Sequence, residues 1–236
     1  DGTIRFFDSR YRDLGVLSTN GKLNSGAKIT DLAYCIFEDN HKNVWIGTKG
    51  GGLLKLIPKT DSSAAPSYEI QRFLNNPLDN NSLSNDNVYS IIQDKSGRIL
   101  VGTFGGGLNV VTEANGKVSF LNYKNKLSTY PINTCSKVRH LLLDTENTLW
   151  VATANGLLQI DNFMTPKMKE FYIEKLPNVA NSLSNNDVHY LHIDKKKQLW
   201  IGTFGGGLNK LEKKASYKST ALFPNYSARN GLSNDI

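Results

Sequence analysis

Two patterns in this sequence could do chemistry: its glycine strings and its recurring aspartates. Gly105-Gly106-Gly107 and Gly205-Gly206-Gly207 have the composition of loops whose backbone N–H groups cradle a phosphate. That chemistry needs Gly-Lys-Ser/Thr opening a helix, or a strand-turn-helix unit. Here each string leads into another strand pattern, such as Leu208-Asn209-Lys210-Leu211, so tight hairpin turns explain them better. Asp39, Asp94, Asp144 and Asp194 each stand six residues before one column, Trp45, Leu100, Trp150 and Trp200. Glycoside hydrolysis needs two carboxylates facing each other, whereas carboxylates in equivalent turns do not converge on one substrate. Their expected role is to accept hydrogen bonds from backbone N–H groups of the following turn.

The remaining reactive side chains do not cluster. His41, His140, His189 and His192 share no column and no metal-ligand spacing, so neither a metal site nor a cofactor is expected. His192 takes the slot of Phe37, Ile92 and Leu142, which predicts a packed histidine. Cys35 and Cys135 are too few for a disulfide framework and are expected as free, mostly buried thiols. The charge is +7, from 28 Lys+Arg against 21 Asp+Glu. Its one dense cluster is Lys195-Lys196-Lys197, followed by Lys210, Lys213 and Lys214. The triplet falls in a predicted turn, where solvated charge is the ordinary outcome, and no nucleic-acid partner is expected. The excess mildly favours an anionic ligand or surface. No run approaches the roughly 18 apolar residues of a membrane helix, and no secretory leader opens the chain. It begins in mid-pattern, as a segment cut from a longer chain would.

The elements that position these residues are repeats. Val101-Gly102-Thr103-Phe104-Gly105-Gly106-Gly107-Leu108-Asn109 returns 100 residues later with only the first position changed, and Asn81-Ser82-Leu83-Ser84-Asn85 returns as Asn181-Ser182-Leu183-Ser184-Asn185. The Trp column is spaced by 55, 50 and 50 residues, and the longer interval holds the loop-like insertion Pro58 to Pro66. Each repeat spells four strands. In the first repeat these are Tyr34–Phe37, Val44–Thr48, Leu53–Ile57 and Tyr68–Phe73. Short strands, few helical patterns and four strands per period of about 50 residues indicate β-propeller blades. The Trp column, Trp45, Trp150 and Trp200 with Leu100 in the second repeat, is expected to be core, sealed between neighbouring sheets.

The predicted fold is therefore all-β, a propeller of four complete four-stranded blades with partial blades at both ends. Its segments are 1–24 (partial), 25–80, 81–128, 129–178, 179–228 and 229–236 (start of a further blade). An open ring exposes apolar inter-blade surface. These blades are expected to be a piece of a larger propeller, or a fragment completed by another chain.

The pattern L-S-N-x-x-V-x-x-I-x-x-D-x-x-G-x-L-W-I-G-T-x-x-G-G-L, fullest at Leu83 to Leu108 and Leu183 to Leu208, resembles the regulator-propeller repeat of hybrid two-component sensors of gut Bacteroides. The third repeat departs from it, with Ala152-Thr153-Ala154-Asn155-Gly156 in place of the glycine string. The resemblance implies a periplasmic propeller of the seven-bladed type. The rest of such a receptor carries an immunoglobulin-like domain, a membrane helix, a histidine kinase, a receiver and a DNA-binding domain. It also implies a response to oligosaccharides from polysaccharide breakdown. The Asp-turn-Trp element resembles the Asp-box of sialidase propellers, without the Ser that opens it, and Arg72, Arg98 and Arg139 fall at unrelated repeat positions.

If the first strand is the inner one, the Leu-Ser-Asn segments and the Thr-Phe-Gly turns share a face. The candidate ligand residues there are Lys49, Asn85, Asp86, Asn87, Phe104, Asn185, Asn186, Asp187 and Phe204, with Arg139 and His189 close by. Aromatic rings beside amides suit a sugar. The alternative is that the asparagines shape loops and the phenylalanines pack between blades. Three functions are therefore weighed. A ligand-sensing region is favoured, its partners being an oligosaccharide, the remaining blades and domains of the receptor, and a second copy in a homodimer. A structural or protein-interaction propeller is the alternative. A lyase or glycosidase is disfavoured, since no convergent acids and arginines are visible.

Overall fold

Segments of alternating or continuous β-branched, aromatic and leucine residues pack best as pleated strands. The computed structural model describes residues 3–60, 66–216 and 219–236, and in it the repeats are four antiparallel meanders. A short hairpin comes first, β1 (Arg5–Phe7) with β2 (Asp13–Val16). The first sheet is β3 (Ala33–Glu38), β4 (Val44–Thr48), β5 (Leu53–Pro58) and β6 (Tyr68–Phe73). The second is β7 (Val88–Gln93), β8 (Ile99–Thr103), β9 (Gly107–Ala114) and β10 (Lys117–Leu121). A single helical turn, α1 (Ile132–Cys135), precedes β11 (Val138–Leu143), β12 (Leu149–Thr153), β13 (Gly156–Asp161) and β14 (Lys169–Ile173). The last sheet is β15 (Val188–Ile193), β16 (Leu199–Thr203), β17 (Gly207–Lys210) and the two-residue β18 (Asn225–Tyr226). In every sheet spatial order follows chain order, the blade topology of a β-propeller. The opening turn at Asp1-Gly2 and the centre of the Pro58 to Pro66 insertion, residues 61–65, lie outside the described residues.

Two compact units divide the chain, residues 1–101 with 109–126, and residues 102–108 with 127–236. In the first, Trp45, Leu53, Leu83, Val88, Ile91, Val101 and Phe120 form one buried cluster. Ile4, Leu17, Ile29, Ile46, Leu54 and Leu56 form another. In the second unit, Trp150, Leu157, Leu183, Val188, Leu191, Ile201 and Phe223 form the core. Trp45, Leu100 and Trp150 are buried, as a core column should be, while Trp200 is half-buried with the Tyr226 ring 5.8 Å away. Burying one Trp is worth about 4–6 kcal/mol as an upper bound.

The aspartate turns are built alike. Asp39 Oδ1 accepts from the amides of His41 and Asn43, each at 2.9 Å, and Oδ2 accepts from the Trp45 indole at 2.8 Å. Asp144 and Asp194 repeat this with Trp150 and Trp200, at 3.2 and 3.0 Å. At the Trp position of the second repeat stands Leu100, which has no side-chain N–H, and the Arg98 guanidinium instead donates to Asp94 Oδ2 at 2.6 Å. The carboxylates are structural caps. Burial pushes the pKa of Asp39, Asp94 and Asp144 up, but the hydrogen bonds outweigh it and hold each below the usual range.

Within each unit the first strands of consecutive blades are neighbours, β3 beside β7 and β11 beside β15. Their approach leaves no room for a side chain on the second strand: a Cβ on Gly47 would lie 2.5 Å from Val88, and one on Gly102 2.5 Å from Val138.

Candidate functional site

The entry segments of the blades act first as clasps. In the first unit the Asp86 carbonyl accepts from the Gly50 and Gly52 amides at 3.1 and 3.0 Å, and its carboxylate accepts from Asn75 N at 2.6 Å. In the second unit Asn186 does the same for Gly156 N and Lys175 N, both at 2.6 Å. Asn85 Oδ1 accepts from Asn87 N and Nδ2 at 2.9 and 3.1 Å, and Asn185 Oδ1 from Asp187 N at 3.0 Å. Lys49 pairs by its backbone with Asn87 and leaves its side chain exposed. The polar groups of Asn85, Asp86, Asn185 and Asn186 are thus engaged in shaping loops.

A second repeated lock explains the identities seen at an offset of 100. Asn109 Oδ1 accepts from Ser84 N at 3.0 Å and its Nδ2 donates to Ser84 Oγ at 2.7 Å. Asn209 and Ser184 repeat the pair at 2.9 and 2.7 Å.

The side chains that gather are in the second unit, and a register slip presents them. Val138↔Thr153 is followed by His140↔Ala152, and Val188↔Thr203 by Tyr190↔Gly202. Arg139 and His189 are the extra residues of these β-bulges, as Tyr34 is in β3 between Ala33↔Thr48 and Cys35↔Gly47. A bulge re-aims the side chain it carries. Arg139 Nε and Nη2 reach both oxygens of Asp187, at 2.8 and 3.1 Å, and His189 Nε2 lies 3.5 Å from the same carboxylate. His189 stacks on Phe204 with ring centroids 5.5 Å apart, and Phe204 is 50% exposed. Phe104 carries Lys137 Nζ at 5.7 Å and Arg139 Cζ at 5.4 Å from its ring centre. The expected residues Phe104, Arg139, Asp187, His189 and Phe204 therefore form one cluster.

Three members were not expected from the sequence: Lys137, His140 and Tyr190. Lys137 stands in the column of Asn87 and Asp187, a signal that aligning the entry segments would have caught. His140 stacks on Tyr190 at 4.1 Å, its Nδ1 is buried without a hydrogen-bond partner, and desolvation pushes its pKa down to about 4. His192 is exposed rather than packed, whereas Leu142 in the same column packs against the core. Lys214 is not part of a free basic cluster, because it binds Asp144, Glu146 and Thr148 at 2.8 to 2.9 Å. Cys35 is half-buried and Cys135 buried, both free, with burial pushing each thiol up to about 12. Among the described residues no three His, Cys, Asp or Glu are grouped to hold a metal, and no helix is long and apolar enough to cross a membrane.

Comparison with known proteins bears on the repeat and the fold. The family described as two component regulator propeller matches at residues 29–50, 82–105 and 182–205. The search of curated proteins found no match. The extracellular domain of the putative hybrid two-component system BT3049 from B. thetaiotaomicron is similar in structure, with a TM-score of 0.59 and 22% identity over 98% of this chain and 29% of that one. PorZ of Porphyromonas gingivalis, a surface component of the type-IX secretion system, gives 0.61 and 16% over 94% and 31%. Virginiamycin B lyase of Staphylococcus aureus gives 0.54 and 14% over 95% and 70%. The chain spans under a third of the length of the first two. At these identities the likeness establishes the fold, which sensors, secretion components and lyases share. By its matched motifs and its meander sheets, the chain is a β-propeller that carries two component regulator propeller motifs at residues 29–50, 82–105 and 182–205.

Proposed function

We propose that this chain is part of the extracytoplasmic sensing region of a hybrid two-component regulator. It binds oligosaccharides released from polysaccharides and passes the signal to a histidine kinase elsewhere in its receptor. The observation that carries the reading is the cluster around Arg139, Asp187, His189 and Phe204, built on bulges of a repeat that is otherwise devoted to structure. A half-exposed ring beside a fork of polar groups suits a sugar, whose apolar face stacks while its hydroxyls exchange hydrogen bonds. Phe204 is the stacking platform and Arg139, Asp187 and His189 are the polar contacts. The matched repeats and the likeness to extracellular domains of putative hybrid two-component systems support the periplasmic setting. The remaining blades of the receptor and a second copy are its protein partners. Ligand binding shifts a dimer only to the extent that the two signalling states differ in affinity.

A non-catalytic role agrees with the aspartate turns, whose carboxylates are spent on amides and indoles. A purely structural propeller is the second reading, favoured by the loop-shaping hydrogen bonds of Asn85, Asp86, Asn185 and Asn186. Titration calorimetry of the intact propeller region against a panel of plant and host oligosaccharides separates the two. Saturable heat with at least one supports sensing, and a folded protein silent across the panel supports the structural role.

A further inference from the structure

We infer that Asn115 is a site of spontaneous covalent modification, at which the side-chain amide is lost and an aspartyl or isoaspartyl residue is left in the backbone. The inference goes beyond the sensing function, does not depend on it, and rests on the outer hairpin of the second sheet. The chain holds four Asn-Gly steps, at 20–21, 115–116, 155–156 and 230–231. A glycine after asparagine has no Cβ to shield its backbone nitrogen, so each step can close the same cyclic imide in an unfolded chain. All four asparagines are exposed. Exposure therefore does not separate them, and hydrogen bonding does.

Three of the steps are tied down. Asn20 Oδ1 accepts from Lys22 N and its Nδ2 donates to Ser25 O, both at 3.0 Å, while Gly21 N donates to Ser18 O at 2.9 Å. The Asn155 carbonyl accepts from Tyr172 Oη, and Gly156 N, the nitrogen that would attack, donates to Asn186 O at 2.6 Å. Asn230 Oδ1 accepts from Ser227 N at 2.5 Å and its Nδ2 donates to Asn225 O at 3.3 Å. The fourth step is different. Asn115 and Gly116 are the central residues of the turn between β9 and β10, with φ of +52° and +73°. They join the paired Ala114 and Lys117, as in a two-residue hairpin turn with both central residues left-handed. Among the described residues no group hydrogen-bonds the Asn115 side chain or Gly116 N, and no atom beyond the chain neighbours lies within 4 Å of where a Gly116 Cβ would stand. The reacting groups are thus unengaged, and the turn has open space around it.

The chemistry needs no reagent but water. Gly116 N loses its proton to hydroxide and attacks Asn115 Cγ. The N–Cγ bond forms, the Cγ–Nδ2 bond breaks, and the amide leaves as ammonia, taking a proton from water. Water then opens the imide at either carbonyl. One opening leaves aspartate, and the other leaves isoaspartate, whose backbone is longer by one methylene. Either product places a carboxylate two residues from Glu113, which holds Lys55 at 3.3 Å. The longer backbone no longer fits the two-residue turn that sets Ala114 opposite Lys117.

The test is peptide mass mapping of the full chain after incubation at mildly alkaline pH, once folded and once in urea. Each conversion rate in the folded chain is taken relative to the same asparagine in urea, and cleavage by an endoproteinase that cuts at aspartate but not at isoaspartate divides the product. The ratio is expected to stay near one at Asn115 and to fall at least about tenfold at Asn20, Asn155 and Asn230, which react only through local opening. A ratio at Asn115 that falls as far as theirs, or ratios at the other three as high as its own, overturns the inference.

Discussion

Replacing Asp39 by alanine strips four hydrogen bonds from one turn: those from the His41 and Asn43 amides, the Asn43 side chain and the Trp45 indole, all at 2.8–2.9 Å. The two amides sit in an exposed turn where water can replace the carboxylate. The indole cannot do this, because Trp45 is only 2% exposed. A hydrogen bond to a charged group contributes roughly 1.5–3 kcal/mol, and a buried donor left unpaired costs about 1–3. Asp39→Ala should therefore destabilise by about 3 kcal/mol. Trp45→Phe alone should cost about 2 kcal/mol, mostly lost packing. In the double variant no indole is stranded, so the two costs should fall short of their sum by about 1.5 kcal/mol. Urea denaturation of the four proteins, followed by far-UV circular dichroism, measures this coupling. Asp94 provides the control, since Leu100 offers no side-chain N–H: the cycle of Asp94→Ala with Leu100→Ile should couple weakly. A coupling below about 0.5 kcal/mol at Asp39 would refute the claim that the Asp–Trp bond, rather than the backbone cap alone, fixes the blade turn.

Other outcomes follow from the same geometry. The His140 pKa is pushed down to about 4 by desolvation. Its stabilising contribution is thus complete above the unfolded value of about 6.5 and is lost as pH falls toward 4; His140→Leu should flatten the melting-temperature profile across that window. Below about pH 4 the capping carboxylates of Asp39, Asp94 and Asp144, all held low, begin to protonate and lose their contribution. The chain should therefore show a second, steeper acid loss in a thermal scan. Lys197 holds φ at +62° in the aspartate turn where Gly97 holds +87°, so Lys197→Gly should raise stability by about 0.5–1 kcal/mol in urea. Asn109→Leu alone strands the Ser84 amide and should cost about 2 kcal/mol. Adding Ser84→Ala should recover little of it, because the backbone N–H is what loses its acceptor.

Blades were legible because period-two patterns, a spaced Trp column and glycine-containing turns all report local structure, and here local structure repeats. The capping role of Asp39, Asp94, Asp144 and Asp194 was legible for the same reason. The indole partner was not, since a Trp six residues away reads first as apolar bulk. The site was half legible. Phe104, Arg139, Asp187, His189 and Phe204 are in the expected set and meet in one cluster, whereas Asn85, Asn185 and Asn186 spend their side chains on loop hydrogen bonds. What hid the difference is the bulge: one extra residue re-aims Arg139 and His189 without leaving any mark on strand periodicity that a single sequence can show. Lys137 was missed because α1 replaces the Leu-Ser-Asn motif before it and removes the landmark.

The central claim is that the bulge-borne cluster, and not the loop asparagines, takes the ligand. It is tested most directly by titrating Phe204→Ala against the parent protein with whichever oligosaccharide binds. Phe204 is half-exposed and its ring stacks on that of His189, so its loss should leave the melting temperature nearly unchanged. Affinity should fall at least tenfold, about 1.4 kcal/mol. Unchanged affinity in the variant, or a fall matched by a drop in melting temperature, would contradict the account.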